Sequence, residues 1–138
     1  MSVNKSHLKQ RIDEVSEAMS ELRRLTSKSF PKLSLEEKYA IRYHIIVLAE
    51  AIGSVCIHIA TEEFNREPQS YQACFKIMEE EHISKNTKDL IAIVKLRNLL
   101  THRYWTIDDA QVYNSIKHDF KCIDKFLRSV GDKYGINL

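Results

Sequence analysis

Residues 97–105, RNLLTHRYW, set a guanidinium, a carboxamide, an imidazole and a phenol within nine positions. These groups suit cleavage of an RNA backbone without a metal. A neutral imidazole accepts a proton near cellular pH, so His102 is suited to deprotonating a ribose 2′-hydroxyl. A guanidinium stabilises the charge that builds on a phosphate, the role open to Arg97. Asn98 would orient the imidazole or contact phosphate. The Arg–His spacing alone is weak: with eight arginines and six histidines it arises by chance roughly one time in three. Both residues also favour the negative end of a helix dipole, and on spacing alone that reading is the stronger one.

Helical geometry divides the stretch. Asn98 and His102 are i, i+4 neighbours, and Arg97 and Tyr104, seven apart, return to nearly one azimuth. Arg97 and His102 lie about 140° apart on an ideal helix. They meet on one substrate if the helix frays at Thr101, or if a second chain contributes one of them. Tyr104 and Trp105 also read as core anchors at a turn, and Trp105 is expected to be packed. Glu50, alone in an apolar run, pairs with Arg42 or His58 as a structural network, or with Arg97 as its supporting partner. His44, His58 and His82 read as structural or surface residues. No HExxH, CxxC, GxSxG or glycine-rich phosphate loop appears. No metal site and no cofactor are expected.

Apolar periodicity places this stretch on helices. Leu8, Ile12, Val15, Met19, Leu22 and Leu25 mark a first helix over 4–27, ended by the segment with Pro31. Ser34 and Glu37 form a capping box that opens a second, running to Phe64. Its two stripes are Tyr39, Tyr43, Ile46, Gly53, Ile57 and Ile45, Leu48, Ile52, Val55, Ile59, which predicts a central helix touched on both sides. A short helix over 71–80 presents Tyr71, Cys74, Phe75 and Met78. A fourth, capped near Ser84 or Asn86, carries Leu90, Ile91, Val94 and Leu99 and ends at the motif. A last helix starts from Thr106 and Asp109, carries Val112, Ile116, Phe120, Ile123, Leu127 and Val130, and ends at Gly131 and Gly135. The expected fold is all-α: an up-and-down bundle of four long helices and a short one in a single domain, 1–138.

The three glycines and two prolines argue against a turn-rich β protein. A net charge of +2 neither demands nor excludes nucleic acid. Three cysteines without a CxxC pair fit reduced thiols in a cytoplasmic protein. The opening MSVNKSHLKQ has no hydrophobic leader region. The apolar run over 45–60 is interrupted by Glu50 and His58 and reads as a buried helix, so no membrane association is expected.

LRNLLTHRYWTID resembles the signature of HepT-like proteins, the toxin branch of the HEPN superfamily: Arg, four residues, His, one residue, Tyr. Arg97, Asn98, His102, Tyr104 and Asp108 match it. The segments AIRYHIIVLAEAI (40–52) and SYQACFKIMEE (70–80) are also similar, and the resemblance spans roughly residues 5–130. It implies a HEPN-like bundle and a metal-independent endoribonuclease acting on RNA as a two-fold homodimer, with both motif copies lining one cleft. By that analogy His102 is the general base and Arg97 the phosphate ligand. The resemblance further implies a MntA-like nucleotidyltransferase antitoxin as partner, in a higher assembly with the toxin, and adenylylation of Tyr104. Arg103 adds a cation that holds RNA backbone or is merely solvated. The competing reading is a non-catalytic helical dimer that binds a nucleotide or a nucleotidyltransferase.

Overall fold

A computed structural model describes residues 3–138; the first two residues of the opening segment lie outside it. Among the described residues there are six α-helices and no strand. They are α1 (Lys5–Thr26), α2 (Leu35–Phe64), α3 (Tyr71–Glu80), α4 (Lys88–His102), α5 (Asp109–Asp119) and α6 (Lys121–Tyr134). The all-α bundle is as expected, with one helix more. The stripe from Val112 to Val130 is buried throughout, but it runs across two helices. Phe120 breaks the regular turn at φ −86°, ψ 5°, so apolar periodicity continues where backbone hydrogen bonding does not.

α1 and α2 form an antiparallel hairpin. Its closed end is tied by Lys28 to Glu37 at 2.9 Å, its open end by the Asn4 N–H donating to His58 Nε2 at 3.0 Å. The capping box is present: Ser34 Oγ accepts from the Glu37 N–H, and the Glu37 carboxylate accepts from the Ser34 N–H. Ile45, Leu48, Ile52, Val55 and Ile59 are fully buried, as the second stripe requires. Each contributes about 1.5–3 kcal/mol relative to an exposed position. By length and composition α2 could cross a membrane; in this fold it is the central helix, with Ile41, Ile45, Leu48, Ile52, Val55 and Ile59 in the core and Tyr39, Tyr43 and Ile57 exposed.

Two helix starts differ from expectation. α4 begins after Thr87, one residue past Asn86, whose Oδ1 accepts from the Lys88 N–H at 3.2 Å; Thr87 itself is fixed from outside the helix. Its N–H and hydroxyl both donate to Glu79 Oε1, at 2.8 and 2.7 Å. α5 begins after Asp108, whose Oδ1 accepts from the Ala110 and Gln111 N–H groups. Thr106 instead ends a 3₁₀ turn, Tyr104–Thr106. At the C-terminal end Gly135 adopts φ +65°, while Gly131 lies inside α6.

His58 gives the hairpin a pH dependence. Burial, and then the neighbouring His7 ring, lower its pKa from 6.5. The unfolded chain therefore binds the proton more readily, and stability falls as pH drops through and below 6.5. Urea melts at pH 7.5 and 5.5 should show a loss in the wild type that is smaller in His58→Gln. Equal losses in both would dismiss His58 as the source.

Candidate active site

The motif closes α4, which stays helical through His102. It does not fray at Thr101: the Thr101 hydroxyl folds back onto the carbonyls of Arg97 and Asn98, and the Arg103 N–H reaches Leu99 O at 2.8 Å. Arg97 and His102 thus keep their helical separation of about 140°. One chain does not turn both side chains to the same point.

Arg97 is held on several sides. Nη2 meets Glu50 Oε1 of α2 at 2.7 Å, and Nη1 donates to Asn98 Oδ1. The guanidinium lies over the Tyr71 ring, 5.3 Å from its centre, and the Tyr71 hydroxyl donates to Glu50 Oε2 at 2.9 Å. Burial and the Glu50 hydrogen bond raise the Tyr71 pKa, keeping the phenol protonated as that donor. Nε is buried without a partner among the described residues. Of the pairings open to Glu50, the structure has the one with Arg97. Arg42 turns elsewhere: it clasps Asp109 through Nε and Nη2 at 2.8 and 2.9 Å, and donates from Nη1 to Tyr104 O at 3.3 Å.

His102, Arg103, Tyr104 and Trp105 are all exposed. Trp105 is not the packed anchor expected of it: it is 68% exposed, edge-on to Tyr104 at 5.4 Å. The Arg42 clasp and the Thr106 hydroxyl on Arg103 O hold the turn, so no indole needs burying there. Tyr39 and Tyr43, expected on a covered stripe of α2, are likewise exposed, as is Leu99 of α4. His44 is half-buried beside Tyr43, and His82 is exposed at φ 61° after α3.

Sequence reasoning missed Tyr71 as a site residue, and Gly53 beneath it. A Cβ on Gly53 would fall 2.5 Å from Tyr71 Cε1, closer than real contacts allow, so the bare backbone lets the ring lie against α2. The signal was present: a glycine inside a helix costs about 1 kcal/mol against alanine and usually has a packing reason. Beside Tyr71 a cavity of about 380 Å³ opens between the start of α3 and α4, with Arg97 and Asn98 in its wall. Among the described residues no three His, Cys, Asp or Glu side chains gather as they would around a metal ion.

An all-α bundle that carries Arg97, Asn98 and His102 in the last turns of one helix, and Tyr104 in the 3₁₀ turn after it, is the arrangement of a HEPN-like bundle. Within that class, the ribonuclease HepT-like family model matches residues 11–130, and the chain belongs to that family. Two solved structures share the fold. One, a mutant MntA–HepT toxin–antitoxin, superposes with a TM-score of 0.81 at 16% identity, covering 91% of this chain and 97% of that one. The other, a toxin–antitoxin with AMP-PNP, gives 0.83 at 16% identity with the same coverage. No curated protein matches the chain in sequence.

Proposed function

We propose that the chain is the toxin of a toxin–antitoxin pair, a metal-independent endoribonuclease that works as a homodimer. The observation that carries this is the unbroken end of α4, which leaves Arg97 and His102 on different faces of one chain. A two-fold mate supplies the missing group, because such an interface brings the same patch together from both copies. Large exposed side chains lie near the motif: Tyr39, whose ring is 5.7 Å from the half-buried Arg42 that bonds Tyr104 O, and Tyr43, Leu99 and Trp105. Exposed large apolar side chains are what a second copy would cover.

In this reading His102 takes the proton of the 2′-hydroxyl, the 2′-oxygen attacks phosphorus, and the bond from phosphorus to the 5′-oxygen breaks. Arg97 stabilises the charge on the phosphate oxygens. The leaving 5′-oxygen takes a proton from a protonated His102 of the second copy. The products are a 2′,3′-cyclic phosphate and a 5′-hydroxyl. Arg103, exposed beside His102, holds the RNA backbone.

The partner in this reading is a MntA-like nucleotidyltransferase antitoxin, joined to the toxin in a higher assembly. It is supported by the family and by the toxin–antitoxin structures that share the fold. Tyr104 is the residue it modifies. At 60% exposure the phenol is open to a transferase, and an added AMP sets a phosphodiester anion beside His102 and Arg103, repelling RNA.

Purified protein incubated with RNA in EDTA should yield fragments ending in 2′,3′-cyclic phosphate, and a 2′-deoxy sugar at the cut should block cleavage. Ends bearing a 3′-hydroxyl would refute the mechanism. One observation favours the non-catalytic dimer: Arg97 is already paired with Glu50 and Asn98. That reading predicts harmless expression of the wild type and antitoxin binding that survives His102→Ala.

A further inference from the structure

We propose that the cavity beside Tyr71 is a nucleobase subsite, which takes the base of a nucleotide next to the scissile phosphate. Its place along the RNA rests on the ribonuclease reading; its capacity to bind a nucleotide does not. At about 380 Å³ it falls in the range of sites for small organic ligands. Ile57, Pro68 and Val94 give it apolar walls, and Gln69, Gln72 and Asn98 contribute carboxamides. Apolar walls interleaved with polar side chains suit a flat, polar-edged ring.

The amides have capacity to spare. Gln69 and Gln72 make no side-chain hydrogen bond among the described residues. Asn98 Oδ1 is occupied by Arg97, so its amide nitrogen keeps both N–H groups for an acceptor on the ligand. Carboxamides pair with base edges because each carries a donor and an acceptor side by side. Ile57 is 38% exposed at the cavity, a large apolar side chain that a base would cover.

Arg97 ties the cavity to the chemistry. It forms part of the wall, so a nucleotide seated there has a guanidinium beside it for its phosphate. Tyr71 is not the stacking platform that its ring would otherwise offer. It packs against Gly53, and Arg97 lies over it. Recognition therefore runs through the amides and the apolar walls, which discriminate between bases as a stacking ring does not.

The test titrates wild-type protein, followed by NMR, with the four 3′-nucleoside monophosphates and with ribose 5-phosphate. Shifts should cluster at Ile57, Gln69, Gln72 and Asn98, and at least one nucleotide should bind about tenfold tighter than the sugar phosphate. Ile57→Trp, which fills the cavity, should remove that advantage. If it does not fold, Gln69→Ala/Gln72→Ala, at positions not fully buried, should narrow the spread between bases and alter which bases flank the cut. Ribose phosphate binding as tightly as the nucleotides, shifts on another face, or an unchanged spread in the double variant would each overturn the subsite. Failure of the ribonuclease reading shows separately, as wild-type protein that binds nucleotide and leaves RNA intact.

Discussion

His102→Ala abolishes RNA cleavage, lowering the rate by about 10²- to 10⁴-fold, the usual contribution of a general acid–base group. The fold should not change. His102 is exposed at the last position of α4 and makes no hydrogen bond among the described residues, so its removal strands no buried group. Arg97→Ala should cost about 10²- to 10³-fold, the scale of a lost oxyanion donor. It leaves Glu50 without its partner, but that carboxylate is 47% exposed and water replaces the guanidinium. Arg97→Lys should restore little, because an ammonium keeps the charge but lacks the planar fork. Initial rates on a labelled RNA, with melting curves and sedimentation alongside, decide the matter. Wild-type rates in folded, dimeric His102→Ala would remove His102 from the mechanism.

Gly53→Ala lowers both stability and cleavage, against the direction that helix propensity gives. Alanine in place of a helical glycine is favoured by about 1 kcal/mol. Here the added methyl meets Tyr71 at 2.5–2.7 Å, so the ring must swing off α2. Overpacking of this kind costs about 1–3 kcal/mol. The swing also breaks the hydrogen bond from Tyr71 to Glu50 and uncovers Arg97. Cleavage should fall about tenfold, the scale of losing one interaction that positions a reacting group. A double-mutant cycle isolates the cause: in Tyr71→Ala the same Gly53→Ala change should stabilise, because nothing remains for the methyl to strike. A higher melting temperature in the single variant would dispose of the seat.

The all-α class and most of the core were legible because apolar spacing reports which face is buried. The stripe of α1 and the second stripe of α2 are buried as spaced. Pattern failed where burial and backbone part ways. Nothing in the run from Val112 to Val130 marks Phe120 as a break, since its side chain stays in the core across it. The cap at Thr87 depends on Glu79, eight residues earlier, which local capping rules do not see. At the site, residue types suggested a chemistry, and the proposed roles come from the family resemblance, because spacing alone favoured the helix-dipole reading. The exposure of Trp105 and Tyr43 was illegible for a physical reason. Apolar character marks what is to be covered, and a single chain cannot say whether its own core or another molecule covers it.

The pair between Arg97 and Glu50 has one more consequence. Arg97 carries its own counterion, so an RNA phosphate that reaches it exchanges one anion for another. The cation set free from the RNA is offset by one drawn to the released carboxylate. RNA binding should therefore depend on salt more shallowly than the cleft's cations would imply, by about one counterion for each such pair. The same built-in competitor discourages stray phosphates, which leaves the guanidinium to ligands that bring further contacts with them.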